Sequence, residues 1–220
     1  MNKYLPALLA LLLVIPARSE ENLPAPQPPY LAPLPDNTTW TIKVTNSTSS
    51  TKTPSGVRVV DQLIGTKSGH IREIVSEWTD GSRSEIWFSQ GYRLARSLAS
   101  PSILVTPVPG RGDSEDSDFF DLTWLASKNY VGIESEDGHP CYHFKTQVAL
   151  EGQHVGVDYS AYVDVKTKRP FSWDIGSNHF ELASVEDRKS VDPLVLPEDF
   201  AKQLKAYRLA AGIPNSYKKP

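Results

Sequence analysis

Five consecutive residues, His139-Pro140-Cys141-Tyr142-His143, hold the densest chemistry in the 220-residue chain. If they are extended, His139, Cys141 and His143 project from one face, because side chains on a strand repeat every two residues. Imidazole, thiolate and imidazole are ligands suited to zinc or copper, and His154, His179 or His70 would have to complete the set. The spacing matches none of the closed zinc patterns. The competing reading is a buried small Cys141 flanked by turn histidines, since free cysteine is among the most buried residue types. A Cys141/His143 nucleophilic pair is disfavoured, because neighbours two apart on a strand seldom converge to hydrogen-bond distance.

Other signals are thinner. Asp113, Glu115, Asp116 and Asp118 could face a hard cation, but they lack the glycine and twelfth-position carboxylate of a calcium loop. They read as a solvated acidic loop. Arg111-Gly112-Asp113 and the glycosylation tripeptides at Asn37 and Asn46 are short enough to arise by chance. No nucleophile elbow, zincin, P-loop or dinucleotide fingerprint is present. These absences turn attention to the aromatics: five Trp, nine Tyr and seven Phe. Trp40, Trp87, Phe171 and Trp173 fall on apolar strand faces. Mostly such residues are ordinary core, but a curved sheet too large for its two helices to cover would leave a groove lined by them, and a concave apolar surface is the usual kind of ligand site.

Two-residue alternation positions these groups. Val157, Tyr159, Ala161, Val163 and Val165 alternate with polar residues, and the pattern resumes at Phe171, Trp173 and Ile175 after a polar break. Two such runs predict an antiparallel hairpin. Equivalent runs recur at 40–45, 57–66, 70–79, 82–89, 92–98, 102–106, 130–135, 141–148 and 179–185, with Asp80-Gly81 a hairpin turn signal. Residues 46–56 and 107–117 read as loops. Phe119, Leu122, Leu125 and Ala126 predict a short helix over 118–127, capped by Ser117 or Asp118. The last element is a helix entered at Pro197, with Glu198 and Asp199 in its first turn and Phe200, Leu204, Tyr207 and Ala211 on one stripe. Gly212 and Pro214 end it. No strand-helix-strand periodicity is present. The expected fold is therefore mainly antiparallel β (α+β): a sheet with a short helix and a C-terminal helix packed on its face or rim.

Composition sets the surroundings. Residues 1–19 read as a signal peptide: Lys3, an apolar run over Leu5–Ile15, then small residues at Ala17 and Ser19. The apolar core is shorter than the roughly 20 residues of a membrane span. Cleavage would remove two cations and no acid, taking the formal charge from −3 to −5. A mildly acidic chain without basic clusters argues against nucleic acid or anionic lipid surfaces as partners. With Cys141 the single cysteine, no internal disulfide can form. Residues 20–37 carry six prolines up to Asp36 and are expected to form an extended tail that packs no core. Residues 38–212 would be one β-rich domain, and 213–220 a C-terminal tail.

The segment Ala161-Tyr162-Val163-Asp164-Val165-Lys166-Thr167-Lys168-Arg169-Pro170 resembles the hydrophobic-x-Asp-x-x-Thr-x-x-Pro hairpin of the LolA/LolB-like lipoprotein-carrier superfamily. The sequence departs from those carriers in placing a proline-rich stretch where they usually have a helix. The resemblance implies the half-barrel fold. With the aromatic face, it leads to a non-enzymatic protein, periplasmic or extracellular, holding an apolar ligand such as lipid or lipoprotein acyl chains without a cofactor. Two alternatives from other classes are a structural or interaction module of the cell envelope, and a metal or thiol site at Cys141.

Overall fold

A computed structural model describes residues 24–46, 59–96, 101–108, 118–149, 156–188 and 192–213. The signal-peptide expectation, and nearly all of the 46–56 and 107–117 loops, lie outside the described residues. Within them the strands are β1 (Thr38–Asn46), β2 (Val60–Ser68), β3 (Ile71–Trp78), β4 (Arg83–Ser89), β5 (Tyr92–Arg96), β6 (Ile103–Pro107), β7 (Tyr130–Glu136), β8 (His139–Ala149), β9 (Gly156–Asp164), β10 (Pro170–Ile175) and β11 (Asn178–Asp187). One helix follows, α1 (Glu198–Ala210). None of the described helices is long and apolar enough to cross a membrane.

The strands form one open sheet in the order β6-β5-β4-β3-β2-β1-β11-β10-β9-β8-β7, antiparallel throughout. Both halves are hairpin meanders, joined where β1 pairs with β11. This is the antiparallel sheet expected from the alternation, in the curved, open half-barrel form that the resemblance implied. Turn chemistry explains the sharp connections. Gln90-Gly91 and Asp137-Gly138 have positive φ at both residues, as a two-residue hairpin turn of the primed type requires. The Asp-x-x-Thr signature between β9 and β10 also has a physical basis. Asp164 Oδ1 accepts the Thr167 N–H at 2.6 Å and the Thr167 hydroxyl at 2.8 Å, while Lys168 takes a positive φ.

Register divides the side chains between two faces. The inner face carries the main core: Trp40, Ile42, Leu63, Ile74, Phe144, Ala161, Val163, Trp173 and Phe180. It is covered by irregular segments. Leu34 comes from the proline-rich stretch, and Phe119, Leu122 and Leu125 come from the segment before β7. Two expectations change here. The 118–127 helix is absent; 3-10 turns at Phe120–Leu122 and Ser127–Asn129 replace it. The proline-rich stretch is packed: Leu34 is buried, Tyr30 meets Phe144 edge-on at 5.5 Å, and Ala32 N–H donates to Lys168 O. Proline disfavours regular structure, yet a polyproline-like strand can lie across a sheet wherever its apolar residues find a slot.

Helix α1 packs on the opposite face, at the β4–β6 end. Phe200 and Leu204 bury against Trp87, Leu94 and Val105. Arg96 ties the helix start to β5, pairing with Asp199 and Glu85 while its guanidinium lies 4.9 Å over the Phe200 ring. Gly212, at φ +68°, closes the helix. Its N–H donates to Leu209 O, and the Ile213 N–H donates to Arg208 O, the pairing of a Schellman motif.

Candidate functional site

The register separates the four aromatics expected to line one surface. Trp40 and Trp173 stand on the inner face and are 1% exposed. Phe119 reaches both, at 6.1 Å from Trp40 and 6.3 Å from Trp173, and Trp173 stacks on Phe180 at 5.3 Å. Trp87 points the other way, beneath Phe200. Phe171 is the extra residue of a bulge between β9 and β10, and its ring lies 5.4 Å from His139 on the outer face. The aromatics nearest one another are therefore core, already in contact with the chain's own Phe119.

A different surface is apolar and open. Cross-strand pairing sets Trp40, Gly65, Ile74, Ile86, Ala95 and Leu104 side by side across six strands, all on the inner face. Exposure rises along the row. Trp40 is 1% exposed and Ile74 4%, Ile86 and Ala95 are half-buried, and Leu104 on edge strand β6 is 64% exposed. The row is an apolar track running from the core to the sheet edge. Sequence reasoning missed it, although a signal was present. Ile86-Trp87-Phe88, Leu94-Ala95 and Ile103-Leu104-Val105 are continuous apolar runs, the pattern of strands buried on both sides. Helix α1 covers one side, and the track is the other.

A largely basic row lies next to the track, paired strand to strand: Lys67, Arg72, Arg93 and Thr106, interrupted by Phe88 on β4. The cover meets it with two carboxylates. Asp118 is 2% exposed; it accepts the Leu34 N–H at 2.6 Å and Lys67 Nζ at 3.2 Å, and lies 3.6 Å from Arg72. Lys67 also donates to Leu34 O at 2.8 Å. The residue expected to cap a helix, or to sit in a solvated acidic loop, is instead a buried pin joining three segments. Asp121 is the second carboxylate. Burial pushes its pKa up to about 6, against the opposing pull of the Arg93 guanidinium. Arg72 also lies 5.9 Å over the Phe88 ring.

The histidine-cysteine cluster falls on the outer face of β8. His143 is 1% exposed; its Nδ1 is 2.6 Å from Glu134 Oε1, its Nε2 is 3.0 Å from Ser160 Oγ, and it stacks on Tyr162 at 4.4 Å. The hydrogen bond from His143 holds the Glu134 carboxyl below its usual range. With Glu134 ionised, Nδ1 donates to its carboxylate. Burial, reinforced by the charges of Asp164 and Glu136, pushes the Cys141 thiol up to about 11. Both His143 nitrogens are engaged, and among the described residues no group of three His, Cys, Asp or Glu side chains converges as a metal site needs. His179 is occupied with Asp174 at 2.8 Å. Ser160, His143 and Glu134 follow the contact order of a hydrolytic relay. However, β8 and β9 are paired on both sides, so their N–H groups belong to the ladders rather than to an oxyanion hole. The arrangement is a satisfied polar network that ties β7, β8 and β9 together.

No family model matches the chain, and no curated protein matches it by sequence. Its structure is similar to that of the lipoprotein LppX of Mycobacterium tuberculosis, with a TM-score of 0.36 and 11% identity over 72% of this chain and 90% of that one. It is similar to a DUF1329 family protein from Desulfovibrio piger, with a TM-score of 0.33 and 12% identity over 71% and 88% of the two chains. The Pseudomonas aeruginosa MucA/MucB complex gives a TM-score of 0.34 and 13% identity over 74% of this chain and 53% of that one.

Proposed function

We propose that this is an exported, non-enzymatic binding protein of the periplasm or extracellular space that holds an apolar ligand, such as the acyl chain of a lipid or lipoprotein, on the inner face of its sheet. The observation that carries this reading is the track from Trp40 to Leu104, whose exposure climbs from 1% to 64% along one continuous apolar row. Burial of apolar surface supplies the driving force, at about 25 cal/mol per Å² removed from water. The ligand enters at the β6 edge and extends inward until Phe119, lodged against Trp40 and Trp173, stops it. The tight filling around Phe119 favours the other reading, a packed interaction module with no small ligand. Occupancy of the track separates the two. Protein purified from its own compartment is examined by native mass spectrometry and lipid extraction, then titrated with a fluorescent fatty acid. Co-purifying lipid, or saturable binding weakened by Leu104→Glu, supports the carrier. If neither appears, the carrier reading fails.

A further inference from the structure

We propose that the track takes a single-chain carboxylate, its alkyl chain along Ile74, Ile86, Ala95 and Leu104 and its carboxylate on Arg93. This rests on the apolar-ligand reading above and names the class of ligand. The first support is the lateral order of side chains. Arg93 precedes Ala95 by two residues on β5 and faces the same way, so its guanidinium borders the track at its middle. On β3 and β4 the opposite border is Ser76 and Ser84. The track is thus one side chain wide between Arg72 and Ser76 on β3 and widens on β4 only to the Phe88 ring, over which Arg72 lies, a fit for one alkyl chain rather than the two of a phospholipid. Four neighbouring strands, β3 to β6, span about 14 Å at strand spacing.

The second support is what the basic row already does. Lys67 and Arg72 hold a carboxylate at the margin of the apolar interior, that of Asp118, at 3.2 and 3.6 Å. Arg93 is the next cation along the same row, toward the open edge, and it lies in the field of Asp121. A planar guanidinium at a half-buried position is suited to a carboxylate, which it can bind through two parallel hydrogen bonds. The cover places its own carboxylates along the row; Asp118 is in contact with Lys67 and Arg72, whereas Asp121 acts on Arg93 only through its field, which leaves the guanidinium to a ligand carboxylate.

Dodecanoate and its neutral counterpart dodecanol, each titrated calorimetrically into the delipidated full chain, test this. Dodecanoate is expected to bind at least tenfold tighter. Arg93→Gln should abolish that difference while leaving dodecanol binding unchanged, which also shows that the variant is folded. Leu104→Glu should weaken both. If Arg93→Gln leaves dodecanoate affinity untouched while dodecanol still binds, the carboxylate assignment is wrong and the apolar-ligand reading stands. Should stoichiometric dioleoylphosphatidylglycerol displace dodecanoate, the single-chain assignment is wrong. If neither dodecyl compound binds, the apolar-ligand reading itself fails.

Discussion

Gly65 offers the sharpest test of how the track begins. A Cβ built there would lie 2.0 Å from Trp40 Cε2, 2.2 Å from Cζ2 and 2.6 Å from Cδ2. Carbon pairs rest at about 3.5–4.0 Å, so in Gly65→Ala the indole must retreat by about 1.5 Å or more. It has little room to do so, being 1% exposed and in contact with Phe119. Overpacking of this kind costs about 1–3 kcal/mol. Complete ejection of the ring approaches the loss from deleting a buried Trp, about 3–5 kcal/mol. We expect Gly65→Ala to lose about 2–4 kcal/mol in urea unfolding followed by far-UV circular dichroism, a large share of a typical total of about 5–15 kcal/mol. In a Trp40→Leu background the overlap is gone. There the same substitution should be neutral, or stabilising by about 0.4–1 kcal/mol through reduced unfolded-state entropy. A coupling of about 2 kcal/mol or more in the double-mutant cycle is the signature. Equal costs in both backgrounds would refute the flat stacking of Trp40 on Gly65.

Three further expectations follow from the cover and the outer face. Asp118→Ala removes the acceptor of a buried pin and leaves Lys67 and Arg72 without it; breaking such a pair costs about 3–5 kcal/mol, read as a lower urea midpoint, and a loss below about 1 kcal/mol would disprove the pin. Asp121 has its folded pKa raised from 3.8 to about 6, so the folded protein binds a proton more readily than the unfolded chain, and stability falls as pH rises from about 4 to 6. Asp121→Asn should flatten that slope and stabilise the protein at pH 7 by up to about 3 kcal/mol, measured by chemical denaturation at pH 4.5 and 7; an unchanged slope would contradict the shift. Cys141, fully buried with its thiol pushed up to about 11, should resist a thiol-specific disulfide reagent at pH 8 in the native protein and react fully in guanidinium; fast native labelling would place it elsewhere.

The strand content was legible because period-two alternation is a local property. Each run from Trp40 to Val185 showed which residues share a side of their own strand. Hairpin turns were equally local, since Gly at a positive-φ position announces itself. The helix over 198–210 could be read from its stripe and its stop signals. The faces were not legible. Alternation says that Trp87 and Leu94 oppose Ile86 and Ala95, but which set joins Trp40 depends on register, carried through β2 and β3 by pairings the sequence does not state. A one-residue change in any of those pairings would move Trp87 to the inner face.

The same reasoning explains why Asp118 and the proline-rich stretch were misread. Locally, Asp118 belongs to an acidic polar run, and polar runs are normally solvated. What buries it is a pair of cations, Lys67 and Arg72, that lie opposite each other on adjacent strands and aim inward among apolar neighbours. An inward cation on a half-buried sheet requires a partner, because an unpaired buried charge is too costly to keep. Asp118 meets that requirement and brings Phe119 onto the core. Leu34 is held by the same carboxylate, and that contact converts a segment of weak intrinsic structure into part of the cover. The inward-facing basic residues on β2, β3 and β5 were therefore the missing clue. Two of them fix the cover in place, and the third, Arg93, stands beside the stretch of apolar sheet that leads to the open edge.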